Sequence, residues 1–128
     1  LRPETAWFWL SCNFWDAHNQ RIGLNLASGV NESFGNENCL WVNGQLFPLS
    51  DILFEHLEDE RWSIRSLDQR LNLTVTTGWR RYENLNLRLV GSQFSQWQAR
   101  ISGSIQLDDQ EIVLLDEYGL LEQHYAKW

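Results

Sequence analysis

The sequence predicts an all-β fold: an antiparallel up-and-down meander that closes into a barrel of about 8–10 strands. Three observations lead there. Apolar residues recur with a period of two almost throughout, the repeat of a half-buried strand. Turn signals separate these runs at short intervals. Only one stretch offers a helical stripe, and it alternates as well as it spirals.

The reading places strands at roughly 6–13, 21–28, 37–42, 45–49, 51–56, 61–66, 71–77, 82–91, 96–107 and 111–125. A polar connection, "WDAHNQRIG", follows the first. The third and fourth are joined by Asn43-Gly44 in "WVNGQLF", the strongest short hairpin signal, because both central residues of a type I′ turn need φ > 0. "LSDILFEHLEDE" could be a helix capped by Ser50 with Leu49, Ile52, Leu53 and Leu57 as its stripe, but "DILFEH" alternates and the strand is preferred. "SLDQRL" is an Asp-led turn. In "RLNLTV", Leu71, Leu73 and Val75 oppose Asn72 and Thr74. "GWRRYEN" reads as a charged hairpin turn, with an Arg presented against an aromatic face or a bidentate carboxylate clamp as the alternative, and "NLNLRLV" resumes the alternation with Leu85, Leu87 and Leu89. "WQARISGSIQL" is long for a strand, and Gly103 is a natural bulge. "LDDQEI" supplies the last turn, and "GLLEQHYAKW" ends the chain as a strand expected to lie beside the first. Pro3 and Pro48 both suit edges or strand ends.

A chain of 128 residues forms one domain, here residues 1–128, and is long enough for a core without metal or disulfide staples. Leu1 opens it and no methionine occurs, so the chain is expected to be a processed product or an excised part of something longer. The net charge of −7 argues against nucleic acid and anionic membranes. No apolar run reaches the ~18 residues of a membrane span. Cys12 and Cys39 lack metal or redox spacing and are expected as buried, free thiols in a reducing cytoplasm, with a single disulfide as the alternative.

No nucleophile elbow, zinc-protease helix, phosphate loop or dinucleotide fingerprint is present, and the three histidines have no metal-ligand spacing. No cofactor is expected. The eight tryptophans must fill a core, line a pocket or do both. Trp7, Trp9, Trp41, Trp62, Trp79 and Trp97 are candidates to contact a small apolar ligand, with Asn25 and Asn38 as orienting amides, beside Asn31 and Glu32. Glu122 and His124 share one face of the last strand with Ala126 and Trp128. They are the candidate carboxylate and imidazole for acid–base chemistry; the plainer reading makes them cross-strand partners. His18 reads as a loop residue and His56 as part of a solvated acidic stretch.

Taken together, "GLNLASGVNESFGNENCLWVNGQL" and "GLLEQHYAKW" resemble the C-terminal half of the bacterial family called domain of unknown function 2804. The matching residues are Trp7 and Trp9, Gly23 and Asn25, Asn38 through Gly44, Phe54 and Glu55, then Gly119, Glu122, Ala126, Lys127 and Trp128. The resemblance implies a lipocalin-like barrel, one of two halves, distantly similar to carotenoid hydratases of calycin type. It supplies no catalytic residues. Three functions are open: a binder of a small apolar ligand, an enzyme of hydratase or isomerase type using Glu122 and His124, or a half-barrel that packs against its partner. Carbohydrate binding, suggested by Trp plus Asn, would need coplanar exposed tryptophans.

Overall fold

The computed structural model describes residues 4–29, 38–87 and 90–127. They form nine antiparallel strands: β1 (Glu4–Trp15), β2 (Arg21–Gly29), β3 (Cys39–Val42), β4 (Gln45–Pro48), β5 (Ile52–His56), β6 (Arg61–Ser66), β7 (Leu71–Leu87), β8 (Val90–Gln106) and β9 (Glu111–Lys127). One sheet holds them all, in the order β4-β3-β2-β1-β9-β8-β7-β6-β5. This is a meander whose last strand returns to the first, with Leu10 opposite Leu121 and Trp9 opposite Glu122. The two edges are β4 and β5, and no ladder joins them among the described residues. The sheet is therefore a curled half-barrel, closed through β1–β9 and open at the β4–β5 seam.

Alternation decides which side chains enter the curl. Leu10, Ile22, Leu26, Leu40, Ile64, Ile101 and Leu121 are among those fully buried on its concave side. Each contributes roughly 1.5–3 kcal/mol relative to exposure. Phe8 on β1 stacks on Phe54 of β5 at 5.5 Å across the curl, bringing opposite parts of the sheet together.

The turns follow local chemistry. Asn43 and Gly44 take φ of 50° and 86°, the left-handed pair that the Asn-Gly signal predicts. Between β6 and β7, the Asp68 carboxylate accepts from the Ser66 hydroxyl at 2.6 Å and from Arg70 N–H at 3.1 Å. Ser66 Oγ in turn accepts from Leu71 N–H at 2.9 Å. These bonds and the hydroxyl hold the Asp68 carboxyl below its ordinary 3.8. The stretch that could have spiralled is instead β5 and the turn to β6, with Asp59 at φ 51° and Arg61 N–H donating to Glu58 O.

Two expectations are corrected. Ten strands become nine because "GWRRYEN" is no hairpin turn: β7 runs through it, absorbing Gly78 and Trp79 in a register shift between Thr77 and Arg80. A bulge mimics a turn in sequence because both interrupt the alternation. Cys12 is buried as expected, but Cys39 is only half-buried, since it alternates with buried Leu40 and faces outward; neither is in a disulfide. Gly103, at φ 142°, marks the β8–β9 register shift, but the extra residue is in β9, where Glu117 to Leu114 faces Ile101 to Gly103.

Candidate functional site

The sheet's two faces carry two separate groups of functional side chains. On the concave face, the leucine and isoleucine core gives way along β1, β5, β6 and β8 to an aromatic wall. Phe54 stacks on Phe8, Phe8 meets Trp62 edge-on at 5.8 Å, and Trp62 tilts against Trp97 at 5.9 Å. Only Trp62 is fully enclosed, at 4% exposure; Phe8, Phe54 and Trp97 are half-buried against the core. His56, opposite Trp62 in register, stacks on it at 4.6 Å and bonds Asp59 O through Nε2 at 2.8 Å. The imidazole expected as merely solvated is exposed on one side and packed on the other.

Beyond Trp97 the same face turns polar. Arg80 is directly opposite Trp97, and Tyr82 is opposite Ser95, which in turn lies opposite Gln123. The Arg80 guanidinium lies over the Tyr82 ring at 4.6 Å. Burial therefore grades from a dry leucine floor through aromatic side chains to a rim of hydrogen-bonding groups, the ordinary make-up of a ligand site.

The convex face holds the second group. Trp7, Trp9 and Ser11 of β1, Asn25 of β2, Leu120, Glu122 and His124 of β9 and Gln96 of β8 alternate with the core and so project outward. Trp9 Nε1–H donates to Asn25 Oδ1 at 2.8 Å, holding the indole toward β2. Glu122 accepts twice: from Gln96 Nε2 at 2.9 Å on Oε2 and from His124 Nε2 at 3.1 Å on Oε1. Phe94 packs against the His124 ring at 4.6 Å, and Trp7 meets it edge-on at 6.5 Å. A cleft of about 170 Å³ opens between Trp9, Ser11, Asn25, Leu120 and Glu122.

Among the sequence candidates, the structure thus brings Trp7, Trp9, Asn25, Glu122 and His124 together on the outer face, and Trp62 with Trp97 on the inner one. No single interior ligand can reach both sets. Trp41 is on the outer face of β3, its side chain 3.7 Å from where a Cβ on Gly23 would stand. Trp79 is exposed at the β7 register shift. Asn38 is a buried tie: its Oδ1 accepts from Ala27 N–H at 2.7 Å and its Nδ2 donates to Ser50 O at 3.4 Å, linking β2 to the β4–β5 connection. His18 is in the β1–β2 loop, as expected. Asn31, Glu32 and Trp128 lie outside the described residues. Phe8, Ser11 and Gln96 were not singled out. Arg80 and Tyr82 are spaced by two, the strand signal that the turn reading concealed.

Among the described residues no group of His, Cys, Asp and Glu is arranged to hold a metal ion, and no helix is long and apolar enough to cross a membrane. The family model described as Domain of unknown function (DUF2804) matches residues 1–128, and the chain belongs to that family. No curated protein and no solved structure matches it.

Proposed function

We propose that this DUF2804 member is a binding module for a small apolar ligand, which rests against the concave aromatic wall. The observation that carries the reading is the graded inner face, from fully buried Leu10 and Leu121 through half-buried Phe8, Phe54 and Trp97 to the Arg80–Tyr82 pair. A wall meant only to fill a core would not open into aromatic side chains of intermediate burial next to hydrogen-bonding groups. The uncovered β4–β5 seam fits the expectation that a second barrel half, from elsewhere in a longer protein, completes the enclosure. Two cysteines that form no disulfide suit a reducing cytoplasm.

The reading is tested by titrating intrinsic tryptophan fluorescence with fatty acids and retinoids. Saturable quenching that weakens at least severalfold in Trp97→Ala and is unchanged in Trp79→Ala supports it. Saturable quenching that Trp97→Ala leaves intact, or no quenching by any of these probes, refutes it. The alternative, an enzyme using Glu122 and His124, takes its support from the 3.1 Å contact between them. Because that pair faces outward, turnover of an apolar substrate would have to occur in the outer cleft and not against the aromatic wall.

A further inference from the structure

The outer-face cleft is unexplained by a ligand held inside the curl, and its construction specifies a different chemistry. We infer that it is a second binding site, for a single ring of a neutral carbohydrate.

Three features carry this. The first is a presented aromatic surface: Trp9 is 45% exposed, yet its indole N–H is already satisfied by Asn25 at 2.8 Å. What remains for a ligand is the π-face, the surface on which the C–H side of a sugar ring packs. Leu120 extends this apolar floor from the neighbouring strand.

The second is a fixed acceptor. Glu122 is held by Gln96 on one oxygen and His124 on the other, and a carboxylate with two oxygens retains acceptor capacity after those two bonds. It can therefore receive donors from a ligand without moving. Hydroxyl groups are such donors, and the Ser11 hydroxyl on the adjacent strand can both donate and accept.

The third is size and charge. About 170 Å³ is well below the roughly 300–1,000 Å³ of sites for drug-sized molecules, so the cleft suits one ring. An anion would be repelled by Glu122. A cation would compete with the His124 imidazole, which already donates to that carboxylate. A neutral polyol meets neither penalty. Gly29 contributes by lacking a side chain: a Cβ there would stand 3.0 Å from Trp7 Cδ1, so Trp7 lies across that strand beside the cleft.

The test is saturation-transfer NMR on the full chain with methyl glycosides of glucose, galactose, mannose and N-acetylglucosamine, and with choline as a cationic comparison. The expected result is transfer to the ring C–H protons of at least one glycoside. Affinity should fall roughly tenfold in Trp9→Ala, the scale of one aromatic packing contact. It should also fall in Glu122→Gln, a shape-preserving change that tests the acceptor should the tryptophan variant fold poorly. Absence of transfer from every glycoside overturns the proposal. So does transfer that both variants leave intact, or binding of choline in preference to the sugars. Each outcome is independent of the apolar-ligand titration, which reads the opposite face.

Discussion

Replacing Gly103 with alanine should be among the most damaging single-methyl changes this fold can suffer. Gly103 sits at φ 142°, a region that L side chains enter only at a cost of about 1–3 kcal/mol. The added Cβ would stand 2.1 Å from Asn72 O and 2.9 Å from Leu73 Cα. Both are backbone atoms of the adjacent β7, so no rotamer change relieves the contact, and the β7–β8 ladder must separate locally. Loss of two ladder hydrogen bonds at about 0.5–1.5 kcal/mol each brings the total to roughly 2–6 kcal/mol. That is a large share of the ~5–15 kcal/mol expected for a whole domain. Gly78, at the other register shift, is the control: a Cβ there meets only Gln98 O at an ordinary 3.8 Å. Gly78→Ala should lie within about 1 kcal/mol of wild type, helped by a stiffer unfolded chain. Urea denaturation of the three proteins measures the differences directly. If Gly103→Ala unfolds within about 1 kcal/mol of wild type, or if Gly78→Ala is equally harmed, the steric reasoning is wrong.

Other perturbations follow from the same structure. Gly119→Ala should destabilise by roughly 2–4 kcal/mol, an overpacking cost, because its Cβ would stand 2.5 Å from Ser11 O and 2.9 Å from Cys12 Cβ; thermal unfolding checks it. Burial, and then the nearby Glu117 charge, push the Cys12 thiol from 9.0 up to about 12. The folded state thus keeps a proton that the unfolded state releases, and stability falls as pH rises between those values, by at most about 4 kcal/mol. Denaturation across pH 8–12, compared with Cys12→Ala, should show that extra slope only in wild type. Asp68→Ala removes the acceptor of the β6–β7 turn and should cost roughly 1–2 kcal/mol. Since Asp68 titrates lower when folded, its contribution is present above about pH 4 and is lost as pH falls through the folded value; an acid-unfolding series on both proteins reads this out.

Much of this fold is legible in the sequence because its code is local. A period of two sets which side chains enter the curl, and Asn43-Gly44 and Gly103 each announce a backbone conformation that few other residues tolerate. The return of the last strand to the first was also readable, since a meander with one apolar face must cover its ends. What sequence could not give was the hand of each face near the register shifts. At Thr77–Arg80 one extra residue restarts the alternation, Gly78 and Trp79 facing the single Gln98, so Arg80 joins Trp97 on the inner face, and a run of charges that looks like a turn is strand. Near Asp116, at φ 55°, β9 makes the same kind of shift, placing Leu121 inside and Glu122 with His124 outside. Their common face was predictable from spacing; which side of the sheet it was depended on that bulge. Asn38 shows another limit: an amide suited to a ligand site is equally suited to tying Ala27 to Ser50, and only the tertiary arrangement distinguishes the two.

The most direct test of the account is a two-dimensional nitrogen–proton NMR spectrum of the indole N–H groups, assigned by single tryptophan replacements and recorded with and without a saturating apolar ligand such as retinol. Eight tryptophans give eight reporters, and those among the described residues are divided between the faces. The account predicts that the Trp62 and Trp97 signals shift while those of Trp9, Trp15 and Trp41 stay in place. Shifts confined to the outer-face tryptophans, or none at all, would contradict a ligand held against the concave aromatic wall.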